Sequence, residues 1–171
     1  MLQLSDILTR AIDWVKYAEA KNAAIIVFDS SILVALITLS SGKENNLLLP
    51  NWYVTLSTIL LICAAVSSLI SFIPILAKFK IKNDDGTDIT KINPLYFGDI
   101  AKFDEVTYLS LLANRYGPLL YDNYNKDIAN QIIINSKIAV RKLNIFTIAL
   151  WLNLFVFLSS LIFLIPLYWR Q

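Results

Sequence analysis

The sequence predicts an all-α integral membrane protein, in which three transmembrane helices carry a helical cytoplasmic module between the second and the third. Three observations lead there. Residues 52–77 run for 26 positions, and residues 146–169 for 24, without one charged side chain. The hydrocarbon core of a bilayer is about 30 Å thick, and a helix rising about 1.5 Å per residue crosses it in about 20 apolar residues. Composition agrees: 57% of the chain is apolar and 16% charged, with a mean hydropathy of +0.59, against about 45–50% and about 25% in soluble domains. Finally, thirteen of the fifteen Lys and Arg residues lie before residue 23 or between 78 and 142. The positive-inside rule then places both regions in the cytoplasm.

The elements follow in order. Residues 1–22 form an amphipathic cytoplasmic helix, because Leu4, Ile7, Leu8, Ala11, Ile12, Val15 and Ala18 recur at helical spacing. Ser5 or Asp6 can cap its start. No Gly or Pro separates it from residues 23–41, so one helix from about Ser5 to Ser41 is expected. Residues 23–41 are the first span, although they contain Asp29. An ionised Asp at the centre of a span costs about 2.5–3.5 kcal/mol. Leu, Ile, Phe and Val each offset about 0.3–0.6 kcal/mol, and the run from Ile25 to Leu39 holds enough of them. Residues 52–77 are the second span. Trp52, Tyr53, Tyr168 and Trp169 sit at span ends, where amphipathic rings favour the headgroup layer.

The module covers residues 78–142. Asn83-Asp84-Asp85-Gly86 is a turn cluster, and Pro94 opens the aromatic run Tyr96-Phe97-Gly98-Asp99. Asp104 can cap a helix carrying Val106, Leu109, Leu112, Ala113 and Tyr116, which Gly117-Pro118 ends. From about Tyr121 no breaker occurs until Pro166, so a helix is expected to run directly into the third span, residues 143–169. This topology puts the N-terminus inside the cell and Gln171 outside.

Much chemistry is excluded. Without histidine there is no Ser-His-Asp, Cys-His or His-metal constellation. Cys63 stands alone in an apolar run, and none of the four glycines builds a phosphate-cradling loop. No catalytic residue, metal site or cofactor is expected. A secretory signal is not expected either, since the first twenty-two residues carry both signs of charge and no cleavage pattern.

Lys137 and Arg141 form an i, i+4 basic pair with Lys142 beside them, and Lys102 and Arg115 add positive charge. Cations suit phosphates and the π-faces of Tyr96 and Phe97 suit bases. Two readings of the basic cluster stay open: nucleotide contacts, or anchors at the cytoplasmic end of span three. Tyr96 and Phe97 could likewise shape a pocket or fill a buried turn. Asp29, Ser30 and Asn153 give the spans polarity, either as a pore lining or as packing residues. Small polar residues in spans favour helix–helix packing, hence a homo-oligomer, of which a tetramer is one form.

The order of motifs carries a family resemblance. The first span is entered through Ala18-Glu19-Ala20-Lys21-Asn22-Ala23-Ala24-Ile25-Ile26-Val27-Phe28-Asp29. Then come Pro94-Leu95-Tyr96-Phe97-Gly98-Asp99-Ile100, the acidic Asp104-Glu105, and the run from Asp127 to Ala139 that includes Gln131, Asn135, Ser136 and Lys137. This resembles the transmembrane effector family of the Pycsar anti-phage system, also found in CBASS-like and Hailong-like defence operons. The resemblance implies an inner-membrane protein of bacteria that answers a cyclic nucleotide or short oligonucleotide made by a partner nucleotidyltransferase or cyclase. It implies membrane disruption through an oligomeric channel or pore, with no duplex nucleic acid as partner and no fixed sign of gating. In this family a polar residue and glycine often follow the aromatic of span one; here Asp29-Ser30 stands there. The alternatives are a non-conducting membrane adaptor that anchors a soluble partner, and an intramembrane enzyme using Asp29. The enzyme has no second acid or nucleophile at matching depth.

The topology is testable with reporter fusions at Lys91 and at Gln171. They should report opposite compartments, and agreement between them removes the three-span arrangement.

Overall fold

The computed structural model describes residues 3–40, 51–73, 92–118 and 122–168, with backbone alone for 39–40 and 163–168. Lys43, Lys78, Lys80, Lys82, Lys91, the turn cluster at 83–86, Tyr121, Trp169 and Arg170 lie outside them, as do the expected span ends at 41 and 74–77. All regular structure among the described residues is helical: α1 (Leu4–Ser40), α2 (Asn51–Ile70), α3 (Phe97–Ile100), α4 (Glu105–Tyr116) and α5 (Asn123–Tyr168). Three of these, α1, α2 and α5, are long and apolar enough to cross a membrane. The chain divides into two compact units, Met1–Ala18 with Pro74–Leu143, and Glu19–Ile73 with Asn144–Gln171. The first 15 residues of α1 and the first 21 of α5 belong to the first unit, and the remainder of each helix to the second.

The first unit is built like a small soluble helical core. Leu4, Ile7 and Ala11 of α1 pack with Ile100, with Tyr108, Leu109 and Leu112 of α4, and with Ala129, Ile132 and Ile133 of α5. The spacings of three and four put each set on one helix face. The Asp104 carboxylate accepts from the Thr107 amide at 2.8 Å and from the Thr107 hydroxyl at 3.1 Å, capping α4. At the other end Gly117 takes φ +103 and ψ 170, a region open essentially to glycine, while its N–H donates to the Ala113 carbonyl. Two long contacts tie the segment before α3 to α4. The Tyr108 hydroxyl donates to the Pro94 carbonyl at 3.0 Å, and Arg115 Nη1 donates to the Ile92 carbonyl at 2.7 Å. Tyr108 is fully buried. That burial, with Tyr116 as a lesser contributor, pushes the phenol well above its ordinary value, so it stays a neutral donor.

The second unit inverts the usual order. Its exteriors are apolar: Val27, Val34 and Ile37 on α1, Ile59 and Leu69 on α2, and Trp151, Phe155 and Leu158 on α5 are all exposed. Its interior holds Asn22, Asp29, Ser57, Ser68 and Asn153 beside Ile25, Leu61, Ala64 and Ala149. Water would not tolerate such an exterior, whereas lipid tails do, and small residues at the contacts let the backbones approach. The buried positions 22, 25 and 29, then 53, 57, 61, 64 and 68, and then 149, 153 and 156 step by three and four along each helix. Across α2 and α5 the buried Tyr53 hydroxyl donates to the Val156 carbonyl at 2.8 Å and lies 2.9 Å from Ser159 Oγ.

Leu112→Ala should destabilise the first unit by about 2–5 kcal/mol, as large-to-small core changes do. Val106→Ala, at an exposed position of the same helix, should stay within about 0.5 kcal/mol. Thermal unfolding in a mild detergent, followed by Trp fluorescence, measures both; equal losses would contradict this packing.

Candidate functional site

In the first unit the short helix α3 sets an aromatic corner. Asp99 Oδ2 accepts from the Asn93 amide at 3.1 Å, and Oδ1 from Lys102 Nζ at 2.9 Å. Burial alone would push the Asp99 carboxyl up. The Lys102 hydrogen bond, the Asn93 amide and the Lys102 charge outweigh that and hold it below the usual carboxylate range. The turn thus fixed buries Phe97 and leaves Tyr96 half exposed over Gly98. A Cβ at Gly98 would lie 2.5 Å from the Tyr96 ring, so glycine is what lets that ring fold back.

Phe97 stands between two rings. Its centroid is 4.7 Å from Tyr96 and 4.7 Å from Trp14 of α1, and Trp14 meets Tyr17 edge-on at 5.6 Å. Arg10, Asp13, Trp14 and Tyr17 line an open cleft of about 420 Å³. Arg10, Trp14 and Tyr17 were not among the residues the sequence singled out. A signal was there: Trp14 and Tyr17 fall off the apolar stripe of the first helix, on its polar face, where large aromatics have no core to fill.

The predicted basic residues take different roles. Lys102 is committed to Asp99, and Arg115 to the Ile92 carbonyl. Lys137 is half buried on α5; burial holds its ammonium below the ordinary lysine value, and the nearby Asp104 carboxylate only partly offsets this. Arg141 is half buried and Lys142 buried. The structure therefore joins Tyr96 and Phe97 to Trp14 and Tyr17, and brings Lys137 near the α4 cap.

In the second unit Asp29 and Asn153 come together in the bundle interior, on α1 and α5. Ser30 turns outward, its hydroxyl donating back to the Ile26 carbonyl at 2.7 Å. A crevice of about 390 Å³ opens among α1, α2 and α5, with Asn153, Ser57, Ser160 and Tyr53 in an otherwise apolar wall.

Apolar helices with polar side chains turned inward define an α-helical membrane protein. The family model of the Pycsar effector protein domain, PycTM, matches residues 3–169. The chain belongs to this family, the transmembrane effectors of a bacterial anti-phage defence. It is 38% identical over 153 residues to the Pycsar effector protein RsPycTM of a Rhizobium species, covering 87% of this chain and 85% of that protein. It is 26% identical over 139 residues to the Pycsar effector protein PtPycTM of Propioniciclava tarda, covering 80% of this chain and 64% of that one. No solved structure matches.

Asp99 binds fewer protons folded than unfolded. Its contribution to stability is complete above the unfolded value of about 3.9 and is lost as pH falls through the lower folded value. Asp99→Asn should therefore lower the melting temperature at about neutral pH, and the difference should shrink as the pH falls through the carboxyl's lowered folded value. A difference unchanged across that range would show that the carboxylate charge is not what holds the turn.

Proposed function

We propose that this effector is a nucleotide-gated channel or pore of the bacterial inner membrane, which breaches that membrane when phage infection raises a nucleotide signal. The signal is a cyclic nucleotide or short oligonucleotide made by a partner cyclase or nucleotidyltransferase. Residues 1–22 and 78–142 form its cytoplasmic sensing part, an orientation supported by the distribution of basic residues. Span boundaries of 23–41, 52–77 and 143–169 complete the topology.

The observation that carries this reading is the continuity of α1 and α5. Each is one unbroken helix, with one stretch in a polar-surfaced unit and the other in an apolar one. A ligand that orders the polar stretch biases the conformation of the span that continues it, provided it binds one conformation better than the other.

The phosphate contacts are Lys137 and Arg141, with Lys142 beside them. A partly desolvated ammonium is a charge that a phosphate would stabilise, and α5 presents it in the sensing unit. Tyr96 and Phe97, joined to Trp14 and Tyr17, offer π-faces for a base. Lys102 and Arg115, already held by Asp99 and Ile92, contribute charge and keep the turn in shape. Three close-packed helices enclose no wide aqueous path of their own, so conduction calls for a homo-oligomer, a tetramer being one form. The family resemblance offers no role for duplex nucleic acid.

The test is ion flux from liposomes holding the purified protein, with and without cyclic mononucleotides and short cyclic oligonucleotides. Flux should depend on one of them. No flux under any condition, with nucleotide binding retained, would mark a non-conducting adaptor instead. A charged hydrogen bond is worth about 1.5–3 kcal/mol, so Arg141→Ala should weaken binding of that nucleotide roughly tenfold or more without preventing insertion. Lys137→Met should weaken it too while raising the melting temperature of the free protein, because it removes a desolvated charge. Unchanged affinity in both variants would make these residues interfacial anchors.

A further inference from the structure

Asp29 is fully buried, and among the described residues neither of its carboxylate oxygens has a hydrogen-bond partner within 3.5 Å; the Asn153 side-chain amide approaches it only as a longer, weaker contact. Beside it, Asn153 is 5% exposed; its amide nitrogen donates to the Ala149 carbonyl at 3.0 Å, and its Oδ1 has no partner among the described residues. The pair presents three acceptor oxygens against the one remaining N–H of the Asn153 amide. Buried acceptors left this way cost free energy, and an ionised carboxylate costs most.

The hydroxyls of the same helix solve the problem locally. Ser30, Ser31 and Thr38 each donate to the carbonyl four residues earlier. A carboxylate cannot, because it carries no hydrogen until it is protonated. Nor do the described residues supply a cation there. Neither α2 nor residues 144–162 of α5 carries a charged side chain, and the nearest charges along α1 are Glu19 and Lys21, two to three turns away. Asn153 also forms part of the wall of the crevice among α1, α2 and α5, with Tyr53, Ser57 and Ser160 as its other polar residues, so the Asn153 side of the pair borders open space that a small ion or water could enter.

We propose that Asp29 and Asn153 form a cation-binding site within the membrane spans, occupied by a proton or by a small monovalent alkali ion. With a proton, the Asp29 carboxylic acid donates its O–H to Asn153 Oδ1. With an alkali ion, both carboxylate oxygens and Asn153 Oδ1 coordinate it, and water in the crevice completes the shell. Either occupant cancels the Asp29 charge. Its departure leaves an anion that only a hydrated interior can hold, so occupancy favours the dry packing of the three helices. The proposal requires α1 and α5 to span the bilayer and does not depend on nucleotide gating.

Infrared difference spectroscopy decides it, on the full chain carrying 13C-labelled aspartate in lipid nanodiscs, across pH in choline, sodium and potassium chloride. A protonated-acid carbonyl band that is lost in Asp29→Asn and moved in Asn153→Leu identifies the proton as occupant. A carboxylate band that shifts between choline and an alkali salt, and is likewise lost in Asp29→Asn, identifies the alkali ion. An Asp29 carboxylate band that answers to neither pH nor alkali ion overturns the proposal. So does an acid band, or an alkali-dependent carboxylate shift, that Asn153→Leu leaves in place. Asp29→Asn is nearly isosteric; if it does not insert, the Asn153→Leu spectra decide alone, since that protein keeps the carboxyl. Absence of nucleotide-dependent flux would sink the gating proposal and leave these spectra as they are.

Discussion

One constraint governs this molecule: α1 and α5 each keep a single buried stripe while their exposed face changes from polar to apolar. Along α1 the buried positions are Leu4, Ile7, Ala11, Ala18, Asn22, Ile25 and Asp29, stepping by three, four or seven residues. The opposite face changes from Asp6, Arg10 and Asp13 near the start to Val27, Val34 and Ile37 further on. In water the stripe must be apolar and the outer face polar. In lipid the outer face must be apolar, and the stripe is then free to hold polar groups, because burial against lipid brings no hydrophobic gain. The stripe of α5 runs from Ala129, Ile132 and Ile133 through Ala139 to Ala149, Asn153 and Val156, but it already holds the polar Ser136 and Lys142 within the first unit.

Polar groups away from water carry their own cost, and the second unit meets part of it in two ways. On the more exposed faces hydroxyls fold back on their own helix, as Thr55, Thr58 and Ser67 do on α2. Tyr53 reaches across to α5 instead and gives the helix pair a directional contact that apolar packing lacks. The first unit relies on more familiar devices: a capped helix, a glycine stop, and two side chains that hold a loop by its carbonyls. Arg115 and Lys102 illustrate how a basic residue in a small unit can be consumed by structure. A guanidinium on a carbonyl and an ammonium on a carboxylate are each fixed in place, and only the second has its charge offset.

Membership of the Pycsar effector family joins the two halves of the reading. The three apolar helices suit a membrane effector, and the polar unit is where a soluble signal would meet the chain. What the family does not supply is the use of particular side chains. Those have to come from this protein's own geometry, above all from the desolvated Lys137, the aromatic corner around Phe97, and the acceptor-rich pair in the spans.

The sequence by itself determined the all-helical character and the three helices long and apolar enough to span a membrane, because long uncharged runs and helical periodicity are local properties. It also determined the cap at Asp104 and the stop at Gly117, since each acts within a few residues of itself. Only the tertiary structure decided which polar residues meet. Ser30 and Asp29 are neighbours in the chain, yet one turns out to the surface and the other in toward Asn153, more than a hundred residues away. Phe97 was visible as an aromatic in a turn, but its partner Trp14 was not, and the commitments of Lys102 and Arg115 were equally hidden. Such pairings depend on how helices pack across large separations in sequence, and no local pattern records them.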